Sequence, residues 1–245
     1  MRPLAVVTGA SGGIGSAIAR RLAAGEHDVV VGYGSRRDRA DEVVASLGTG
    51  DHVACAVDVT DAASLASLAA LVAARGNSLA VLVNCVGVTR AVPHADLDGL
   101  DDGLFDAIMA TNVRGVFATI RSLAPALRAA KGCVVSISSV AGVTGLGSNV
   151  AYCASKAAVD SMTRSLGRAL APDVRMVSVS PGWVLGEYSA KVPAELLDAQ
   201  LAQTPLGRFA TAADVAEAVW AAVALLPLTT GAILPVDGGR PLGRA

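Results

Sequence analysis

The chain has 245 residues, of which 53% are hydrophobic, 17% charged and 3% aromatic. That composition excludes a charge-rich disordered chain. A formal net charge of −1, from 20 basic and 21 acidic residues, excludes a general polyanion binder.

Leu4 to Val7 reads as a short buried strand, and a glycine turn follows it. Ile14 to Ala24 reads as a helix with Ile14, Ala17, Ile18 and Leu22 on one face. Asp28 to Tyr33 is the second strand and Arg39 to Leu47 the second helix. Val53 to Val57 is the third strand, ending at Asp58, and Asp61 is placed to cap the helix after it. Leu79 to Val83 is the fourth strand, and a long helix is predicted from Leu104 to Ala130. Cys133 to Ile137 is the fifth strand. Tyr152 to Leu170 is a helix stopped by Pro172. Val174 to Val179 is the sixth strand, ended by Pro181-Gly182. Ala212 to Leu226 and Ala232 to Val236 are the last helix and strand.

These strands are apolar on both faces, the mark of a parallel sheet covered by helices on both sides. Right-handed crossovers then give a single doubly wound parallel α/β sheet of about seven strands. No repeat or linker divides the chain, so residues 1–245 are expected to form one domain. The longest apolar stretches, such as Val219 to Leu226, are about half the ~20 residues of a membrane span. Met1-Arg2-Pro3 leads straight into the first strand without a signal-peptide plan, so a cytoplasmic protein is expected. The four cysteines, Cys55, Cys85, Cys133 and Cys153, form no CxxC pair and fit no zinc spacing; reduced thiols are expected. His27, His52 and His94 match no metal motif, although His94 sits in a polar loop. Neither a metal site nor a nucleic-acid or membrane partner is expected.

After the first strand comes Thr8-Gly9-Ala10-Ser11-Gly12-Gly13-Ile14-Gly15. Glycines let the backbone turn tightly and approach a pyrophosphate, and the helix that starts there aims free N–H groups at it. The turn lacks the Gly-Lys-Ser/Thr ending of a P-loop. The second strand ends in Val31-Gly32-Tyr33-Gly34-Ser35-Arg36-Arg37, with no acid for a ribose diol. A hydroxyl at Ser35 and charge at Arg36 and Arg37 suit a 2′-phosphate instead. Asp38 is close enough in sequence to neutralise one arginine.

The strongest chemical signal is Ser139, Tyr152 and Lys156. The run Tyr152-Cys153-Ala154-Ser155-Lys156 puts tyrosine and lysine on one helix face. A free tyrosine, with a pKa of about 10, is a poor acid–base group at neutral pH. A nearby ammonium is expected to lower that value. Ser139 closes Val135-Ser136-Ile137-Ser138-Ser139, at the strand end where substrates bind. Its hydroxyl is placed to hold a carbonyl oxygen.

From Val7 to Gly239 the chain resembles the short-chain dehydrogenase/reductase family. The glycine turn fits two of the family's spacings, through Gly9, Gly13 and Gly15 or through Gly9, Gly12 and Gly15. Length favours the oxidoreductase branch over the longer epimerases and dehydratases. So do Thr111-Asn112-Val113-Arg114-Gly115, Pro181-Gly182 and Val236-Asp237-Gly238-Gly239. The resemblance implies a Rossmann-like fold and a set of cofactor-binding residues. The phosphate turn would supply Gly9, Ser11, Gly12, Gly13, Ile14 and Gly15, and the end of the second strand Tyr33, Ser35, Arg36 and Arg37. Asp58 and Val59 would flank the adenine. Asn84, Val86 and Gly87 belong to Asn84-Cys85-Val86-Gly87, where the family has Asn-Asn-Ala-Gly. Asn112 would hold a proton-relay water, Ser139 would orient the carbonyl, and Tyr152 would move its proton. Lys156 would hold the nicotinamide ribose and lower the tyrosine pKa. Pro181 and Gly182 would contact the nicotinamide. The usual threonine after that pair is Gly186 here, which gives the Val184 backbone more weight.

Gly87-Val88-Thr89-Arg90 resembles the 3-oxoacyl-carrier-protein reductase group. The expected activity is an NADP(H)-dependent ketoreductase or alcohol dehydrogenase, with NAD(H) as the alternative cofactor. Retention of both Tyr152 and Lys156 counts against a non-catalytic nucleotide sensor. The expected substrate is a small carbonyl or alcohol. A carrier-bound one is less supported, because Ala129-Ala130-Lys131 and Ala171-Pro172-Asp173-Val174-Arg175 are thinly basic. Trp183 to Thr204, with Trp183, Leu185, Tyr188, Leu196 and Leu197, is the expected lid and suits an apolar or cyclic substrate. The resemblance also implies a homotetramer or homodimer paired through the helices near Leu104 to Ala130 and Tyr152 to Leu170.

Overall fold

The apolar runs become seven strands: β1 (Leu4–Thr8), β2 (Asp28–Tyr33), β3 (Val53–Ala56), β4 (Leu79–Asn84), β5 (Cys133–Ile137), β6 (Arg175–Pro181) and β7 (Ala232–Val236). The computed structural model describes residues 2–187 and 189–242; Met1 and Tyr188 of the expected lid lie outside the described residues. The strands pair in parallel, in the order β3-β2-β1-β4-β5-β6-β7.

Alternate residues of each inner strand feed two separate cores. Ala5 and Val7 of β1 pack with Ile18 and Leu22 of α1 (Gly13–Ala24), Val43 of α2 (Arg37–Ala45) and Val215 and Val219. Leu4 and Val6 pack on the other face with Leu68 of α3 (Ala62–Ala74) and with Ile120, Leu123 and Val159. Both faces being covered is why the inner strands carry no polar alternation. Each fully buried Leu, Ile or Val contributes about 1.5–3 kcal/mol relative to exposure. Asp61 caps α3 as expected, accepting from the N–H groups of Ala63 (3.0 Å) and Ser64 (3.1 Å).

The long helix predicted from Leu104 is three segments. α4 (Asp102–Met109) begins at the Asp101 cap, and α5 (Val116–Ala130) ends it. Between them Ala110–Gly115 forms a π-helical turn that contains Asn112. Such turns break the 3.6-residue repeat locally and cluster at functional sites. Two short helices were not expected, α6 (Ala141–Thr144) after β5 and α8 (Ala194–Ala202) in the segment after β6. α7 (Val150–Ala169) carries Tyr152 and Lys156, and α9 (Ala212–Trp220) continues as a second π turn over Ala221–Leu225.

The chain runs from β1 to β2 and β3 in one direction, then crosses to β4 and continues in the other. The crevice at the carboxyl ends of β1 and β4 is therefore the topological switch point, where open α/β sheets bind ligands. Register puts Thr8, Asn84, Ser136 and Ser178 level on four adjacent strands. This buried polar row is the floor of the site.

Candidate active site

At the end of β1 the glycine turn folds back over β4. Gly9 has φ +68°, and a Cβ there would lie 3.1 Å from the Cys85 backbone. A Cβ on Gly15 would collide with the Gly9 carbonyl oxygen and sit 2.8 Å from Ala10 Cα. Gly13 is different, because a Cβ there meets nothing within 4 Å among the described residues. The cap of α1 is Gly12, with no side-chain capping bond and no acid in the first turn. The first N–H groups of α1 and its positive dipole end therefore face an open cradle, with Ser11 and Ile14 half-buried at its edge. These residues fit the pyrophosphate of a dinucleotide.

Around the cradle, the Asp58 carboxylate accepts from Thr60 N–H (2.8 Å) and Thr60 Oγ1 (2.6 Å). Those bonds hold its pKa below the usual carboxylate range. Val59 is buried against the π turn. Tyr33 lies in the core at the end of β2, while Gly34 and Ser35 are exposed beyond it. Arg36 turns toward the cradle, its Nη2 3.8 Å from where a Gly12 Cβ would be. Arg37 turns away to Asp41 (3.4 Å) and is 76% exposed. Its place beside Arg36 is taken by Arg39; both guanidiniums contact Glu187. Sequence reading missed Arg39 and Glu187, because neither belongs to a local motif.

The three chemical groups converge at the ends of β5 and α7. The Ser139 hydroxyl accepts from Ala141 N–H (3.2 Å) and lies close enough to the Tyr152 phenol to act on it. Lys156 is 6% exposed, donates to Ile137 O (2.8 Å), and has its Nζ 5.6 Å from the Tyr152 ring centre. Burial pushes the Tyr152 pKa up, opposed by the Ser139 hydroxyl. This differs from the expected lowering by the ammonium: desolvation is the largest influence on the phenol. Burial pulls Lys156 down to about 8, with the Asp160 carboxylate opposing it. The resting site thus holds a protonated phenol beside a lysine that is still cationic at neutral pH. Cys85 is a neutral thiol, pushed up to about 11 by burial.

Asn112 is 1% exposed and faces α7 because the π turn rotates it inward. Its Oδ1 accepts from Val88 N–H (2.8 Å), and its Nδ2 donates to Val88 O and Ser155 Oγ (both 3.1 Å). A Cβ on Gly87 would lie 3.6 Å from Asn112 Oδ1 and 3.7 Å from Lys156 Nζ. Asn149 was also missed. It caps α7 through Tyr152 N–H (2.7 Å) and donates to Thr89 Oγ1 and Arg90 O. An Asn three residues before the tyrosine is a readable N-cap signal. Asn84 donates to Ser136 Oγ (3.4 Å), and Val86 packs on the second core. His94 reaches Gly147 O (3.1 Å).

Pro181 ends β6, where its carbonyl accepts from Val140 N–H (3.0 Å); Gly182 N–H donates to Val236 O (3.0 Å). Val184 bridges Ala210 in parallel, which ties the segment after β6 to the start of α9. Gly186, where the family's threonine would stand, donates its N–H to Ser189 Oγ (2.9 Å).

A glycine cradle alone binds many nucleotides, and tyrosine and lysine four apart are common on helices. Brought to the same strand ends, they fit the site of a nicotinamide-dependent oxidoreductase. A family model described as enoyl-(acyl carrier protein) reductase matches residues 9–240. A cis-4-hydroxycyclohexanecarboxylate dehydrogenase of Sinomonas cyclohexanicum is 37% identical over 96% of this chain and 95% of its own. A 3-oxoacyl-[acyl-carrier-protein] reductase of Staphylococcus aureus is 34% identical over 98% of each chain. A solved short-chain dehydrogenase/reductase structure from Burkholderia xenovorans superposes with TM-score 0.92 at 34% identity, covering 99% of each chain. The chain belongs to the short-chain dehydrogenase/reductase family.

Proposed function

We propose that the protein is an NADP(H)-dependent carbonyl reductase acting on a free, apolar carbonyl compound. The observation that carries this is the convergence of Ser139, Tyr152 and Lys156 next to the α1 cradle. The nicotinamide supplies the hydride when bound. The Ser139 and Tyr152 hydroxyls take the substrate oxygen between them, and Tyr152 delivers the proton. A phenol kept protonated by burial suits the reductive direction. Lys156 holds the ribose hydroxyls and keeps positive charge beside the proton donor. Gly87, having no side chain, leaves room for a relay water between Asn112 Oδ1 and Lys156 Nζ.

Arg36 and Arg39, with no acid closing β2, favour the phosphorylated cofactor. Residues 183–204 act as a lid over the substrate. Val143 (71% exposed) and Leu146 (68% exposed), on the segment after Ser139, make the approach apolar. Arg175 supports a free substrate over a carrier-bound one. Its guanidinium donates to the backbone carbonyls of Ala222, Val223, Leu226 and Thr229, capping the π turn after α9. Of the two approaches read as carrier docking, this leaves Lys131 as the exposed cation. The carrier-bound reading keeps the support of the Staphylococcus relative. Four free thiols and the chain's family fit a cytoplasmic enzyme of one domain.

The test is a panel of free cyclic and linear ketones and carrier-linked 3-oxoacyl thioesters, each with NADPH and NADH. Free ketones are expected to turn over with kcat/KM at least about tenfold higher for NADPH than for NADH. A strong NADH preference would refute the arginine reading. Turnover of carrier-linked substrates alone would refute the free-substrate reading.

We also propose a homotetramer or homodimer. Met109, Ala110, Val113, Phe117 and Met162 line an exposed apolar groove on α4, the π turn, α5 and α7, flanked by Asp106 and Arg114. A second copy covers such a surface. Phe117→Glu is expected to yield a smaller species by light scattering; an unchanged mass would remove this face from the assembly.

A further inference from the structure

We propose that Glu187, on the lid, competes with the cofactor's 2′-phosphate for Arg36 and Arg39, and thereby tunes the discrimination between NADP(H) and NAD(H). The inference rests on the reading of these arginines as the phosphate site and adds a residue to it.

Glu187 is far from both arginines in sequence, yet its carboxylate accepts from Arg36 Nη1 (3.4 Å) and from Arg39 Nη1. The other Arg36 nitrogen faces the glycine cradle, 3.8 Å from the Gly12 Cβ position. One guanidinium therefore looks both into the cradle and at the lid. Among the described residues the surrounding charges do not supply an equivalent partner. Asp41 is engaged with Arg37, while Asp38 and Glu42 act on Arg39 only through their fields. The paired arginines hold Glu187 ionised, with its pKa below the ordinary glutamate range.

A carboxylate and a phosphate monoester seek the same guanidinium geometry. The monoester brings about 1.5 to 2 negative charges and three acceptor oxygens, so it displaces the carboxylate. NAD(H) has a neutral hydroxyl at that position and nothing with which to displace Glu187. Displacement also frees Glu187, which lies inside the turn closed by the Gly186–Ser189 hydrogen bond, from the arginines.

The experiment is a fluorescence titration of NADPH and NADH, with 2′,5′-ADP as a competing fragment that lacks the nicotinamide. Wild type, Glu187→Gln, Arg36→Gln and Arg39→Gln are compared, with thermal melting as the folding control. Glu187 is exposed, so the Gln variant keeps the core intact. Glu187→Gln is expected to tighten NADPH and 2′,5′-ADP about three- to tenfold and to leave NADH within about twofold. Equal shifts for both cofactors, or no tightening of NADPH, would overturn the competition. The arginine variants separate this from the underlying reading. If both leave the NADPH-to-NADH ratio unchanged, the phosphate site itself is wrong. If they lose selectivity while Glu187→Gln is silent, only the competition fails.

Discussion

Tyr152→Phe is expected to cut carbonyl reduction by about 10³-fold while leaving the NADPH dissociation constant within about twofold. The substitution removes one oxygen and little else. The ring stays under Lys156 Nζ, and Asn149 still caps the helix through the residue's backbone N–H. What disappears is the phenol hydroxyl, which is the proton source in the proposed reaction. Ser139 alone still polarises a carbonyl, so a small residual rate is expected. Single-turnover reduction at saturating NADPH, with a parallel binding titration, checks both halves. Wild-type turnover in this variant would remove Tyr152 from the chemistry.

The pH dependence follows from the same burial. Lys156, lowered to about 8, carries its charge below that pH and loses it above. Tyr152 is raised, so its phenol is still protonated when the lysine is not. Reductive kcat/KM is therefore expected to fall as pH rises through about 8, and that limb belongs to Lys156. Lys156→Gln should show a low rate without the limb.

Features carried by neighbours in sequence were legible from the chain alone. Strands apolar on both faces announced a covered parallel sheet, Asp61 announced a cap, and the glycine turn announced a cradle. Features made by distant segments were not. Glu187 meets Arg36 and Arg39 only because the segment after β6 returns over α2. Arg175 reads as a surface cation in the sequence, and the fold turns it onto helix carbonyls. The π turn around Asn112 escapes a periodicity argument, because the inserted residue alters the repeat for only one turn. The direction of the Tyr152 shift was misjudged for a related reason. Spacing reveals the nearby ammonium but not the depth of burial that raises the phenol.

Two glycines six residues or fewer from Gly9 separate the cradle's shape from its use. Gly13→Ala is expected to leave the melting temperature unchanged or slightly raised. Its Cβ meets nothing within 4 Å, and alanine is favoured over glycine in a helix by about 0.5–1 kcal/mol. In the proposed placement of the cofactor, the added methyl lies in the open space where the pyrophosphate would meet the first N–H groups of α1. NADPH binding should therefore weaken at least about tenfold in a fully folded protein. Gly15→Ala is a different lesion. Its Cβ collides with the Gly9 carbonyl, which is backbone and has little freedom to yield. The turn must move, at a cost of about 1–3 kcal/mol in stability, and binding is lost with it. Thermal melts and NADPH titrations on both variants give four values. If Gly13→Ala binds NADPH like wild type, the phosphates do not lie at the α1 N-terminus. If Gly15→Ala melts like wild type, the turn has more freedom than its contacts allow.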